Sequence, residues 1–211
     1  LSHDASTPQI LIYHTHSQEG YKDSIPGDAA TSVVGVGDYL TKLLTERYGF
    51  SVIHHKGEYD VGDRDHAYSK AAPSLEQVLA ENPSIEVVID LHRDGVREDT
   101  RLVTEINGVE MAQVMFFNGL SRTTKMGDID YLYNPYITDN LAISFQMQLK
   151  AAEYYPDFTR RIYLKGYRYN MHYCPKSLLI EVGAQTNTVQ EAMNAMIPLA
   201  DILNKVLTAQ Q

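Results

Sequence analysis

At 211 residues, with 44% hydrophobic and 21% charged side chains, the chain can form one large domain with a core that needs no covalent staple. Its 18 Lys and Arg against 27 Asp and Glu leave a net charge of −9, which disfavours nucleic acid and anionic lipid surfaces; Arg160-Arg161 is too short a basic run to override that field. The lone Cys174 excludes an intrachain disulfide and a Cys-rich zinc module, and no apolar run reaches the roughly 18 residues of a membrane span.

Ile10 to Tyr13 is a short apolar run and predicts a buried strand. The polar stretch from Ser17 to Ala30, with Gly20, Pro26 and Gly27, reads as a loop. Val36, Tyr39, Leu40, Leu43 and Leu44 recur at helical spacing, and Gly49 ends that helix. Phe50 to Ile53 predicts a second strand, and the Asp-rich residues 55–69 a second loop. Ser74 with Gln77 makes a capping box, which predicts a short helix after Pro73. Glu86 to Leu91 is a strand apolar enough to be buried on both faces.

Asn107-Gly108 between Leu102–Ile106 and Val109–Phe117 is a strong hairpin signal. Residues 118–137 read as a long loop. A helix begins at Asp139, with Leu141, Phe145, Leu149 and Ala152 as its apolar face, and Pro156 ends it. Ser177 to Val182 is the last buried strand. Thr188 and Glu191 cap a final helix that buries Met193, Met196, Leu199, Leu203 and Leu207, with Pro198 as a kink. Strands separated by helices predict an α/β fold: a single domain over 1–211, a mainly parallel twisted sheet of about six strands, helices on both faces and one antiparallel hairpin. Residues 1–8 read as a linker remnant, and the opening at Leu1 rather than Met leaves room for a leader, anchor or upstream domain.

Three buried strands end in unusual polar residues: His14 to Glu19, Asp90 to Asp94, and Glu181 with Gly183. Ligands of parallel sheets bind beyond the carboxyl ends of the strands, so the three clusters should meet at one rim. If the first strand persists, His14 and His16 share a face and could chelate one metal; Asp90, His92 and Asp94 share a face likewise. Histidine with carboxylate suits Zn²⁺, with a position left for an activated water. Glu181, in an otherwise apolar strand, suits a general base. His54 and His55 could line the rim or sit in solvated loop, His172 could add a ligand, and His3 and His66 read as surface residues. Tyr163, Tyr167, Tyr169 and Tyr173 could wall a groove for a sugar or peptide, or alternate on a sheet face. There is no G-x-S-x-G elbow and no P-loop, and Gly35-Val36-Gly37 lacks the third glycine of a dinucleotide fingerprint.

Tyr13-His14-Thr15-His16-Ser17-Gln18-Glu19, Asp90-Leu91-His92-Arg93-Asp94, Arg168-Tyr169-Asn170 and Leu179-Ile180-Glu181-Val182-Gly183 with Asn187 together resemble the stage II sporulation protein P family, from Ile10 to the final helix. The resemblance implies a zinc-dependent N-acetylmuramoyl-L-alanine amidase that hydrolyses peptidoglycan, with endopeptidase action on cross-links, in engulfment of the forespore. It also implies an extracytoplasmic, membrane-anchored enzyme between the mother cell and forespore membranes. Its partners would be stage II sporulation protein D and a membrane protein of the same machinery. On that resemblance His16 and His92 are metal ligands and Glu181 is the catalytic carboxylate. The wider amidases carry a Glu ligand further along, where this chain has none; Glu19 is the substitute and His14 its rival. Arg93 would help stabilise the oxyanion, and Asn170, Tyr169 and Asn187 would contact substrate. Two other readings stay open: a metal-dependent carbohydrate esterase or deacetylase, and a non-catalytic wall-binding relative.

Overall fold

A computed structural model describes residues 1 and 5–209; His3 lies outside the described residues. In chain order the elements are β1 (Ile10–Tyr13), α1 (Val33–Lys42), β2 (Val52–His54), α2 (Ala67–Glu81), β3 (Val87–Asp94), β4 (Val103–Ile106), β5 (Val109–Ala112), β6 (Val114–Gly119), β7 (Arg122–Thr123) and β8 (Gly127–Asp128). They continue with α3 (Ile137–Tyr154), β9 (Tyr163–Lys165), β10 (Lys176–Ala184) and α4 (Val189–Leu207). Six strands form one sheet in the order β2-β1-β3-β10-β6-β9. β1, β2, β3 and β10 run parallel, and β6 lies antiparallel to β10.

The period of two along each strand sorts the side chains. Ile10, Ile12, Ile89, Leu91, Phe116 and Ile180 join residues of α1, α3 and α4 in the main core. Leu11, Tyr13 and Val88 face the other way, onto Ala67, Ala71 and Leu75 of α2. Each fully buried leucine contributes about 2 kcal/mol, so the two layers fix the sheet firmly. The order also locates a site. β2 lies on one side of β1 and β3 on the other, so the winding direction reverses between β1 and β3. At such a reversal the loops leaving the strand ends part in opposite directions and open a crevice.

Several local readings hold. Gly49 has φ 72° and stops the α1 segment, which ends in one wider turn over Leu43–Arg47. Asn107 and Gly108 both have positive φ, 53° and 78°, as a two-residue hairpin turn requires. Thr188 and Glu191 form a complete capping box on α4.

Others are corrected. The run read as continuous to Phe117 breaks at Gln113: β4 and β5 make a separate ribbon, and β6 resumes in the main sheet. The helix placed after Pro73 starts at Ala67 and carries Pro73 inside it, because Ala67, Ala71 and Leu75 form one buried stripe across that position. On α3 the buried side is Asn140, Ile143, Ser144, Met147 and Ala151, while Phe145 and Leu149 are more than half exposed. Polar residues win there because they are bonded inside: Asn118 Nδ2 donates to Ser144 Oγ at 2.9 Å, and Asn140 Nδ2 to the carbonyl of Cys174 at 3.0 Å. β7, β8 and β9 lie in stretches read as loop or left undecided. Leu1 packs against the core, with its amino group donating to the carbonyl of Leu207 at 2.6 Å. Among the described residues no helix is long and apolar enough to cross a membrane.

Candidate active site

β1 ends at Tyr13, so its alternation does not carry as far as His16. His14 and His16 therefore part company. His14 keeps the strand's parity and turns toward α1, where its Nδ1 is 2.7 Å from the carbonyl of Leu91 and its Nε2 is 2.8 Å from His54 Nε2. His54 Nδ1 in turn lies 2.9 Å from Asp38. Gly37 makes room for the pair, since a Cβ there would lie 2.8 Å from both Nε2 atoms. Burial, with His54 adjacent, pushes the His14 pKa down to about 3. His14 is thus a closed structural contact, with both ring nitrogens engaged, and it does not join the crevice.

His16 turns the other way. Its ring meets Tyr68 of α2 and His92 edge to face, with centroids 5.7 and 5.3 Å apart. His16 Nδ1 is buried without a hydrogen-bond partner and lies 3.7 Å from Asp60 Oδ2.

β3 and β10 bring the next groups together. They pair in parallel with Glu181 opposite His92. Asp90 accepts from the amide of Thr15 at 2.9 Å and from its hydroxyl at 2.7 Å, which ties β3 to the end of β1. His92 Nε2 lies 2.7 Å from Asp90 Oδ1, and Nδ1 lies 3.4 Å from Glu19 Oε2. Burial disfavours the imidazolium, yet Asp90 and Glu19 overcome it and hold the His92 pKa well above its usual range. Glu19 accepts from Arg64 Nη2 at 2.6 Å and from the amide of Arg93 at 3.0 Å. Burial alone would raise its pKa; His92, Arg64 and the Arg93 amide reverse that and hold it at about 2.

Glu181 contrasts with Glu19. Its Oε2 is buried without a hydrogen-bond partner, and burial pushes its pKa up to about 8, with Glu19, Asp94 and Asp90 adding to the rise against His92. Two carboxyls in one pocket are driven apart, the pattern that separates charge-holding from proton-moving groups. A cavity of about 280 Å³ has His16, Glu19, His92, Arg93, Tyr169 and Glu181 on its walls, together with Arg64 and Tyr68. The Arg93 side chain braces the loops, donating to the carbonyls of Gly20 at 2.9 Å and Asp94 at 3.3 Å.

The remaining expected residues divide. Tyr169 packs on Tyr68 and Phe117 at the cavity edge, and Asn170 Nδ2 donates to the carbonyl of Tyr68 at 2.8 Å. Asn187 is corrected: it is fully buried away from the cavity. Its Oδ1 accepts from the amide of Ala184, and its Nδ2 donates to the carbonyl of Leu102 and to Glu191. It supports the bulge at Gly183, whose φ is 58°. His172 lies tilted against Tyr173, outside the lining of the cavity, and His55 meets the Tyr59 hydroxyl. His66 is exposed beside Asp63, as read.

Arg64, Tyr68, Asp60 and Thr15 were not legible as site residues. Three of them lie in the stretch read as loop, and Thr15 acts through its backbone as much as its hydroxyl.

The implied metal can be tested against these residues. As they stand they are neighbours rather than a closed shell: among the described residues no three His, Cys, Asp or Glu side chains are grouped closely enough to hold an ion. The donor chemistry fits nonetheless. Two imidazoles and a carboxylate converge on one cavity, and His92 Nδ1 faces Glu19 Oε2 at 3.4 Å. The buried, unpartnered Oε2 of Glu181 completes a polar cluster that an apolar pocket would not tolerate.

The fold is that of solved N-acetylmuramoyl-L-alanine amidases. The CwlD amidase from Clostridioides difficile, solved in complex with the GerS lipoprotein, superposes with a TM-score of 0.56 at 14% identity, covering 96% of this chain and 100% of that one. The N-acetylmuramoyl-L-alanine amidase from Clostridium difficile 630 gives 0.56 at 15% identity, covering 96% of each chain. The catalytic domain of the CD27L endolysin, which targets the same bacterium, gives 0.56 at 13% identity, covering 97% and 98%.

The sequence profile of the stage II sporulation protein P family matches residues 2–204, and the chain belongs to that family. Stage II sporulation protein P of Bacillus subtilis (strain 168) is 24% identical over 216 residues, covering 93% of this chain. The chain spans about half the length of that relative, 50%.

Proposed function

We propose that the chain is a zinc-dependent peptidoglycan amidase that cleaves between the muramic lactyl group and L-alanine, with endopeptidase action on peptide cross-links. Family membership supports a role in forespore engulfment. There it would act as the extracytoplasmic part of a membrane-anchored protein, alongside stage II sporulation protein D and a membrane protein of that machinery. One observation carries the chemistry: His16, Glu19, His92 and Glu181, from three separate parts of the sequence, share one cavity at the β1/β3 crevice.

His16, His92 and Glu19 would hold the metal. Zinc, when bound, supplies Lewis acidity and a water whose pKa falls toward ~7. Asp90 Oδ1 lies 2.7 Å from His92 Nε2 and Glu19 Oε2 lies 3.4 Å from Nδ1, so the two carboxylates flank the imidazole and Nδ1 is the nitrogen beside Glu19. Arg64 and the Arg93 amide fix the Glu19 carboxylate. Glu181, once ionised, accepts a proton from the attacking water and returns it to the departing amine nitrogen. The Arg93 guanidinium adds positive field at the wall as oxyanion charge develops.

Mass spectrometry of digested purified peptidoglycan tests the reading. An amidase releases intact stem peptides and leaves glycan strands bearing free lactyl groups. Acetate release with stem peptides still attached would replace it with the deacetylase reading. Glu181→Gln should lower stem-peptide release at least 10³-fold with zinc content unchanged; retained activity would remove the assigned base.

A further inference from the structure

A second and larger cavity, about 540 Å³, adjoins the first, and the two share Tyr68 and Tyr169 on their walls. Its other walls include Asp65 and Leu132, and the segment Tyr167 to Asn170. That segment is held at a cost. Tyr169 and Asn170 are consecutive non-glycine residues with φ of 51° and 55°, a conformation that costs each about 1 kcal/mol. Gly119 at the end of β6 lets the segment in: a Cβ there would lie 2.4 Å from the carbonyl oxygen of Tyr167 and 2.8 Å from that of Arg168. The Asn170 amide then locks the segment to α2 through the Tyr68 carbonyl.

The strained segment presents Arg168. Its hydrogen bond among the described residues is Nη1 to the carbonyl of Tyr133 at 3.1 Å, and no carboxylate pairs with it. Arg64 is different, because Glu19 and Asp60 engage it. In a chain of net charge −9, an arginine on a cavity wall with no ion-pair partner among the described residues is an available anion site. Aromatic walls with one such cation suit a peptide that carries carboxylates. Asp65, the other charged residue on the lining, offers an acceptor for an ammonium on the same peptide. An uncharged glycan strand would engage neither.

We infer that this second cavity is the subsite for the acidic stem peptide, and that Arg168 selects a free stem carboxylate over its carboxamide. The inference rests on the amidase reading for the bond cut, but the binding it describes can be measured separately. Two assays test it on the zinc-loaded protein, with paired stem peptides and paired muropeptides whose carboxylates are free or amidated.

In calorimetric titration wild type should bind the free-acid peptide about tenfold more tightly than the amide. Arg168→Gln should bind both alike at the weaker level, and Arg168→Lys should recover part of the difference. In turnover the same tenfold preference should appear in kcat/KM, carried by KM, and vanish in Arg168→Gln. Discrimination that persists in Arg168→Gln, or is absent in wild type, overturns the subsite. Binding discrimination without cleavage of either muropeptide would uphold the subsite and refute the amidase reading.

Discussion

Glu181 is a carboxyl set in an otherwise apolar strand. It lines the cavity with Oε2 buried and unpartnered, and desolvation raises its pKa to about 8. Between the ordinary value of 4.5 and about 8 the native state keeps a proton that the unfolded chain releases, so stability falls as pH rises through that window. In chelator-treated protein, Glu181→Gln should therefore melt higher than wild type above pH ~8, by an amount on the order of a few kcal/mol. The gain should shrink to nothing near pH ~4.5. Melting curves across that range check it, and equal Tm at alkaline pH would mean the carboxyl is not desolvated. Asp90 makes the converse prediction. Its Oδ1 lies 2.7 Å from His92 Nε2, and it is itself held by Thr15. Asp90→Asn should weaken zinc affinity about 10- to 100-fold in a chelator competition, as loss of a ligand's orienting partner does. Unchanged affinity would exclude Asp90 from orienting His92.

At the scale of elements, the end of β10 shows how structure serves the site. Gly183 adopts φ 58°, and a Cβ there would lie 2.5 Å from Asn187 Oδ1. Gly183→Ala should destabilise by about 2–4 kcal/mol in denaturant titration and disturb Glu181 two residues earlier. A variant as stable as wild type would show that the bulge is not needed. The α4 cap is milder: Thr188→Ala should cost about 1 kcal/mol, read by the same titration. Elements with strong local chemistry were legible in the sequence, such as this cap, the Asn107-Gly108 turn and the apolar β3. Those decided by tertiary contacts were not. α2 continues across Pro73 because a buried alanine-leucine stripe outweighs one lost backbone bond. α3 turns Phe145 and Leu149 outward because Asn140 and Ser144 find buried partners. Sequence spacing cannot reveal such partners.

For the whole molecule, the crossing order of the sheet brings distant residues together. The winding reverses between β1 and β3, so the chain leaving each strand opens toward the crevice. That made the convergence of His16, His92 and Glu181 readable from strand ends alone. Which of Glu19 and His14 lines the cavity was not readable, because it depends on where β1 stops. Two residues of further pairing would have kept His16 on the α1 side with His14. The most direct measurement is elemental analysis of zinc in purified wild-type, His92→Ala and His14→Ala proteins, with folding checked by circular dichroism. The account predicts one zinc per chain in wild type and in folded His14→Ala, and none in His92→Ala. Equal zinc in wild type and His92→Ala would contradict it.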